Sequence, residues 1–104
     1  MKLTKQEMEN YRKYTKMRGS NLKTCKLDAL NVHLNGEYAH ELKKFEIFWK
    51  LRKQGFRVIT EAWDKEGLRR EIVDITNGEI YEIESSKTKR GQRHPKNINV
   101  IYYD

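Results

Sequence analysis

The chain reads as a mixed α/β (α+β) domain in which helices come first and a small mixed sheet follows. Three observations predict that class. Tyr38, Leu42, Phe45, Phe48, Trp49 and Leu51 recur at helical spacing. Runs rich in Val, Ile and aromatic residues follow Gly55 at strand density. Two of those runs flank Asn77-Gly78, the strongest short-range hairpin signal.

The first helix is expected to start at Thr4. Thr4 and Glu7 form a capping box, in which hydroxyl and carboxylate satisfy orphan backbone amides reciprocally. Met8, Tyr11 and Thr15 would share a face, and Gly19-Ser20 would end the helix. A second, short helix is expected over 24–34, with Leu27, Leu30 and Leu34 on one side and Asn35-Gly36 as its stop. The third, over 37–54, carries the apolar stripe and ends at Gly55. Strands are expected over 56–63, 70–76, 79–84 and 98–103, with a basic segment over 85–96 before the last. Pro95 cannot sit inside a helix, so any helix in that segment would end before it. We therefore expect a basic helical extension, 1–36, on an α/β core, 37–104, in one compact unit.

The 104 residues carry 22 Lys and Arg against 15 Asp and Glu, a formal net charge of +7. An excess of this size in a small domain is a footprint for polyanion binding, with solubility as the plain alternative. The excess is local. Residues 1–26 hold eight basic residues (Lys2, Lys5, Arg12, Lys13, Lys16, Arg18, Lys23, Lys26) and two acidic ones, Glu7 and Glu9. A second basic run comprises Lys87, Lys89, Arg90, Arg93, His94 and Lys96. Phosphate contacts are therefore expected from Lys13, Lys16, Arg18, Lys23, Lys26, Lys89, Arg90, Arg93 and Lys96, with a solvated charged face as the alternative. Cys25 is the one cysteine, so no intramolecular disulfide forms, and its basic surroundings could lower its pKa. No apolar run of membrane length occurs and no secretory signal opens the chain. These features lead us to expect an intracellular, cytoplasmic protein in a reducing compartment, with no membrane partner. His33, His40 and His94 stand at no zinc spacing with Cys25 and read as polar surface or phosphate contacts.

The hairpin makes a geometric statement. If Asn77-Gly78 is a two-residue turn, Thr76 faces Glu79, Asp74 faces Tyr81 and Glu71 faces Glu84. Side chains alternate across a sheet, so Glu71, Val73, Ile75, Ile80, Glu82 and Glu84 would share one face and Asp74 the other. Opposed β-carbons lie about 5 Å apart, and like charges that close are destabilising unless offset. A divalent cation such as Mg²⁺ or Mn²⁺ offsets them, as do neighbouring Lys and Arg or hydration of an exposed face. Glu41 lies on one helical side with Lys44, Phe45 and Phe48. If both Phe residues pack on the sheet, Glu41 is carried beside the hairpin. Otherwise it is a surface residue pairing with Lys44.

His40-Glu41-Leu-Lys-Lys44, Gly55-Phe-Arg-Val-Ile-Thr-Glu61, Arg70-Glu71-Ile-Val and Tyr81-Glu82-Ile-Glu84-Ser-Ser-Lys87 together resemble the PD-(D/E)XK nuclease superfamily, in its small archaeal and viral forms. The resemblance covers roughly 38–104. It implies a restriction-endonuclease-like core and Mg²⁺- or Mn²⁺-dependent hydrolysis of phosphodiester bonds in DNA. It implies that Glu71, Glu84 and Glu82 hold the metal and that Glu41 is a metal or water ligand. Asp74 takes the metal role if a bulge changes the hairpin register. The family's Glu-x-Lys departs here to Glu82-Ile-Glu84, and with Glu84 as ligand the lysine position falls on Ser86, with Lys87 next along. Two hypotheses follow: a metal-dependent endonuclease, with a homodimer as its candidate assembly, and a non-catalytic nucleic-acid-binding protein on a degenerate nuclease fold. A protein-interaction module is a third.

Overall fold

A computed structural model of the chain describes residues 2–16, 24–85 and 98–103. Among these residues it is a mixed α and β structure with two helices and four strands: α1 (Lys5–Tyr11), α2 (Tyr38–Lys53), β1 (Val58–Trp63), β2 (Arg69–Asp74), β3 (Glu79–Ser85) and β4 (Ile98–Tyr103). The capping box forms as expected, with Glu7 N–H donating to Thr4 Oγ1 (3.1 Å) and Thr4 N–H donating to Glu7 Oε1 (2.8 Å). The helix it opens is shorter than expected. The chain leaves α1 at Arg12 so that Thr15 can exchange backbone hydrogen bonds with Trp63 at the outer edge of β1. α2 matches its periodicity within a residue at each end.

The sheet runs in the order β1-β2-β3-β4, antiparallel except for the parallel β3–β4 pair. Ile72 pairs with Tyr81, Val73 with Ile80 and Asp74 with Glu79. The expected register is thus displaced by two residues, and the turn is the four residues 75–78. Asp74 causes this. Its carboxylate accepts from Thr76 N (2.9 Å), Asn77 N (3.1 Å) and Asn77 Nδ2 (2.8 Å). Those bonds close the turn two residues earlier on β2 than Asn-Gly alone would. Gly78 adopts φ +74, the left-handed region that glycine enters at no steric cost. A displacement of two keeps the parity of the faces.

Two apolar layers sandwich the sheet. On one face Ile59, Ala62, Val73, Ile75, Ile80, Ile98 and Cys25 pack with Leu3, Tyr11, Tyr14 and Leu27 of the N-terminal segment. On the other, Val58, Ile72, Ile83 and Leu51 pack with Ile47, Phe48 and Phe56. Each fully buried Ile or Val contributes about 1.5–3 kcal/mol. Residues 24–33 form no helix, against expectation. Asp28 N–H donates to Val58 O (2.7 Å), the Asp28 carboxylate accepts from Val58 N (3.0 Å), and Thr60 Oγ1 donates to Ala29 O (2.8 Å). This stretch therefore straps the β1 edge. It satisfies edge amides and carbonyls that a separate helix would leave bare. No helix among the described residues is long and apolar enough to cross a membrane.

Candidate functional site

Side-chain alternation breaks once, in adjacent strands. Ile59 and Ala62 are three residues apart yet pack in the same apolar layer. Glu61 lies between them with φ +51, a left-handed conformation costly for a residue with a β-carbon. Its place in the ladder is bracketed by Thr60↔Ile72 and Ala62↔Arg70, so the position opposite is Glu71. There β2 slips as well: Ile72 packs beneath α2, and Glu71 also reaches α2 instead of pointing away. The double slip turns Glu61 and Glu71 toward the helix.

The helix meets them with polar groups. His40 stands between two carboxylates, with Nδ1 at 2.5 Å from Glu41 Oε2 and Nε2 at 3.0 Å from Glu71 Oε2. Glu41 Oε1 accepts from His33 N (2.9 Å). Lys44 is fully buried at 0% exposure, and its Nζ donates to Asn31 O (2.7 Å) and Glu61 Oε2 (3.0 Å), 3.9 Å from Glu41 Oε1. Glu61 Oε1 also meets His33 Nε2 at 2.7 Å and Arg69 at 3.2 Å. One continuous network, Arg69–Glu61–Lys44–Glu41–His40–Glu71, thus joins α2, β1, β2 and the 24–33 strap. A cavity of about 480 Å³, lined by Lys16, Asn31, His33, Glu61, Trp63 and Arg69 among others, opens beside it.

Environment sorts the carboxylates. Burial pushes the Glu41 carboxyl up, but the His33 amide, His40 and the Lys44 charge outweigh it and hold Glu41 below the usual range. Burial acts upward on Glu61 too, and hydrogen bonds from His33 and Lys44 reverse it. Glu71 goes the other way. Burial and the nearby Glu82 charge raise it, and His40 offsets only part of that. Cys25, expected to be lowered, is raised by burial, with Lys16 opposing weakly.

The expected metal triad is not assembled. Glu82 Oε2 accepts Glu71 N–H (3.2 Å) and its Oε1 takes Arg70 NH1 (3.4 Å), while the Glu71 carboxylate is turned to His40. Glu84 follows Glu82 in the regular β3–β4 ladder and lies on the Ile80 face, away from α2. The slip at Glu71 is the physical reason for the separation. Asp74 is 1% exposed and closes the hairpin turn, so it does not supply the ligand that a changed register would have brought. Among the described residues no group of three or more His, Cys, Asp or Glu is arranged to hold a metal ion. The residues present therefore do not fit the Mg²⁺ or Mn²⁺ site that the resemblance implies. The positive charge facing Glu41 and Glu61 is Lys44.

Glu41 and Glu71 do meet, through His40. Phe48 packs on the sheet as expected, but Phe45 is 45% exposed. His33 and His40 are carboxylate partners rather than plain surface. Lys44 and Glu61 were legible in principle: a lysine on the buried stripe of a helix, and a glutamate interrupting an apolar strand. Nothing in sequence marked His33 or Arg69. Of the expected phosphate contacts, Lys13 and Lys26 are exposed and Lys16 half-buried. Arg18, Lys23, Lys89, Arg90, Arg93 and Lys96, with Lys87, lie outside the described residues. No protein-family model matches the chain, and no curated protein or solved structure matches it significantly.

Proposed function

We propose that the chain binds nucleic acid, with DNA as the expected polymer, through its cationic surface. The observation that supports this is how the charges are sorted. Among the described residues nine basic side chains are exposed (Lys2, Lys5, Arg12, Lys13, Lys26, Lys50, Lys53, Lys65, Arg69) against three acidic ones, Glu9, Glu37 and Glu66. Glu7, Glu41, Glu61 and Asp74 are buried. The exposed charge among the described residues is thus three cations to each anion, the sorting that attracts a polyanion. Metal-dependent cleavage is the second reading. It is the activity the resemblance implies, and Glu41 and Glu71 do meet at one imidazole, but with no metal-holding group assembled among the described residues it stands second.

One experiment separates the two. Labelled duplex DNA is titrated with protein at several salt concentrations, then incubated with Mg²⁺ or Mn²⁺ against a chelator control. Phosphate binding lowers log K by about 0.9 per decade of salt for each phosphate neutralised, and a slope steeper than about −4 is expected. Cleavage that Glu41→Gln and Glu71→Gln both abolish would establish the second reading. Intact DNA with steep salt dependence leaves the binding protein. Association that is absent or indifferent to salt overturns both.

A further inference from the structure

The outward face of α2 carries an apolar seam that nothing among the described residues covers. Tyr38, Leu42, Phe45 and Trp49 are 78%, 50%, 45% and 54% exposed. Their spacings of four, three and four are those of a helix that packs against another helix along its length. They do not stand apart. The Phe45 and Trp49 rings lie 6.0 Å between centroids, Lys53 Nζ sits 5.8 Å from the Trp49 ring, and Leu42, Phe45, Glu46 and Trp49 line a hollow of about 440 Å³. The opposite stripe of the same helix, with Lys44 and Leu51, is buried. The inner side thus already holds α2 to the domain, and the seam adds nothing to that packing.

We infer that this seam is the interface of an antiparallel homodimer in which α2 packs against α2 of a second copy. Two features favour a copy of the same chain. Leu42 and Trp49 are balanced about the helix midpoint: α2 spans Tyr38–Lys53, so its centre falls beside Phe45, between them. A two-fold axis at Phe45 sets Leu42 of each copy against Trp49 of the other, as an isologous interface requires. The ends are opposite in charge. Glu37 is exposed at the N-terminal cap, whereas Lys50, Arg52 and Lys53 occupy the last turn. Antiparallel packing brings Glu37 toward the basic end and opposes the helix dipoles favourably, whereas parallel packing sets the two basic ends side by side. One helix pair about 24 Å long makes a small interface, so association in the micromolar range is expected.

Sedimentation velocity of the full chain from about 1 to about 300 µM tests this, because that range spans weak association. The expected result is a shift from 12.6 kDa toward twice that mass, lost in Trp49→Glu and in Leu42→Lys with the far-UV circular dichroism unchanged. Orientation is read by oxidative cross-linking. Phe45→Cys should form a disulfide between copies, since both cysteines lie at the axis. Lys53→Cys should not, because the two sites stand about 22 Å apart along antiparallel helices. Cys25 is buried and does not compete. A 12.6 kDa species at every concentration overturns the proposal, and so does a dimer that persists in both seam variants. Cross-linking of Lys53→Cys as readily as Phe45→Cys overturns the antiparallel arrangement. A monomer whose Trp49 fluorescence is quenched by single-stranded DNA would give the seam to nucleic acid instead.

Discussion

Replacing Lys44 with Met keeps the stem that crosses the interior and deletes only the charge. Nζ is fully buried, and its loss takes the bond to Asn31 O (2.7 Å) and leaves Glu61, 7% exposed, and Glu41, 8% exposed, without their shared cation. Removing one partner of a buried ion pair costs about 3–5 kcal/mol. Glu61 retains His33 and the half-exposed Arg69, and Glu41 retains His33 N–H and His40, which places the expected loss at about 3 kcal/mol near pH 7. In a domain of this size that lowers Tm by about 12 °C or more. The sign with pH follows from the wild-type shifts. Glu41 and Glu61 are held below their ordinary values, so their contribution is complete above the unfolded carboxylate pKa and disappears as pH falls through the lowered folded values. The wild-type advantage over Lys44→Met should therefore shrink toward pH 4. Urea denaturation at neutral and acid pH measures this, and Lys44→Met combined with Glu61→Leu should recover at least about 1 kcal/mol of the loss. A loss under about 1 kcal/mol, or one equal at both pH values, would refute the network as a source of stability.

Glu71 should behave in the opposite sense. Its folded carboxyl is held above the ordinary value, so it contributes stability below the unfolded pKa and loses it as pH rises through the folded one. Glu71→Gln should thus be neutral or stabilising at pH 7 and relatively worse in acid, and a clear neutral-pH destabilisation in thermal melts contradicts the assignment. Asp74→Ala removes three turn-closing hydrogen bonds from a buried carboxylate and should cost about 2–3 kcal/mol in urea denaturation, with hydrogen exchange rising at Thr76 and Asn77. Asp74→Asn, which keeps one acceptor oxygen, should lose less.

Where the signal was local, the sequence alone determined the outcome. Thr4 and Glu7 cap α1 because a capping box needs only four residues of chain. The α2 stripe and β4 appear almost to the residue, because helical and strand periods are written into neighbouring side chains. The surplus of cations is likewise a property of composition. Tertiary structure decided what depends on distant partners. Residues 24–33 forgo a helix because the β1 edge offers them hydrogen bonds that neighbouring residues cannot encode; Asp28 reaches Arg57 and Val58, about thirty residues on. The hairpin loop is four residues long because Asp74 competes for its amides. The carboxylates part company because Glu61 takes a left-handed backbone and β2 slips opposite it, sending Glu71 to His40 and leaving Glu82 and Glu84 behind. Alternation assumes a regular ladder. A lysine buried between a strand carboxylate and a helix carboxylate stabilises an irregular one, and that stabilisation exists only once helix and sheet have met.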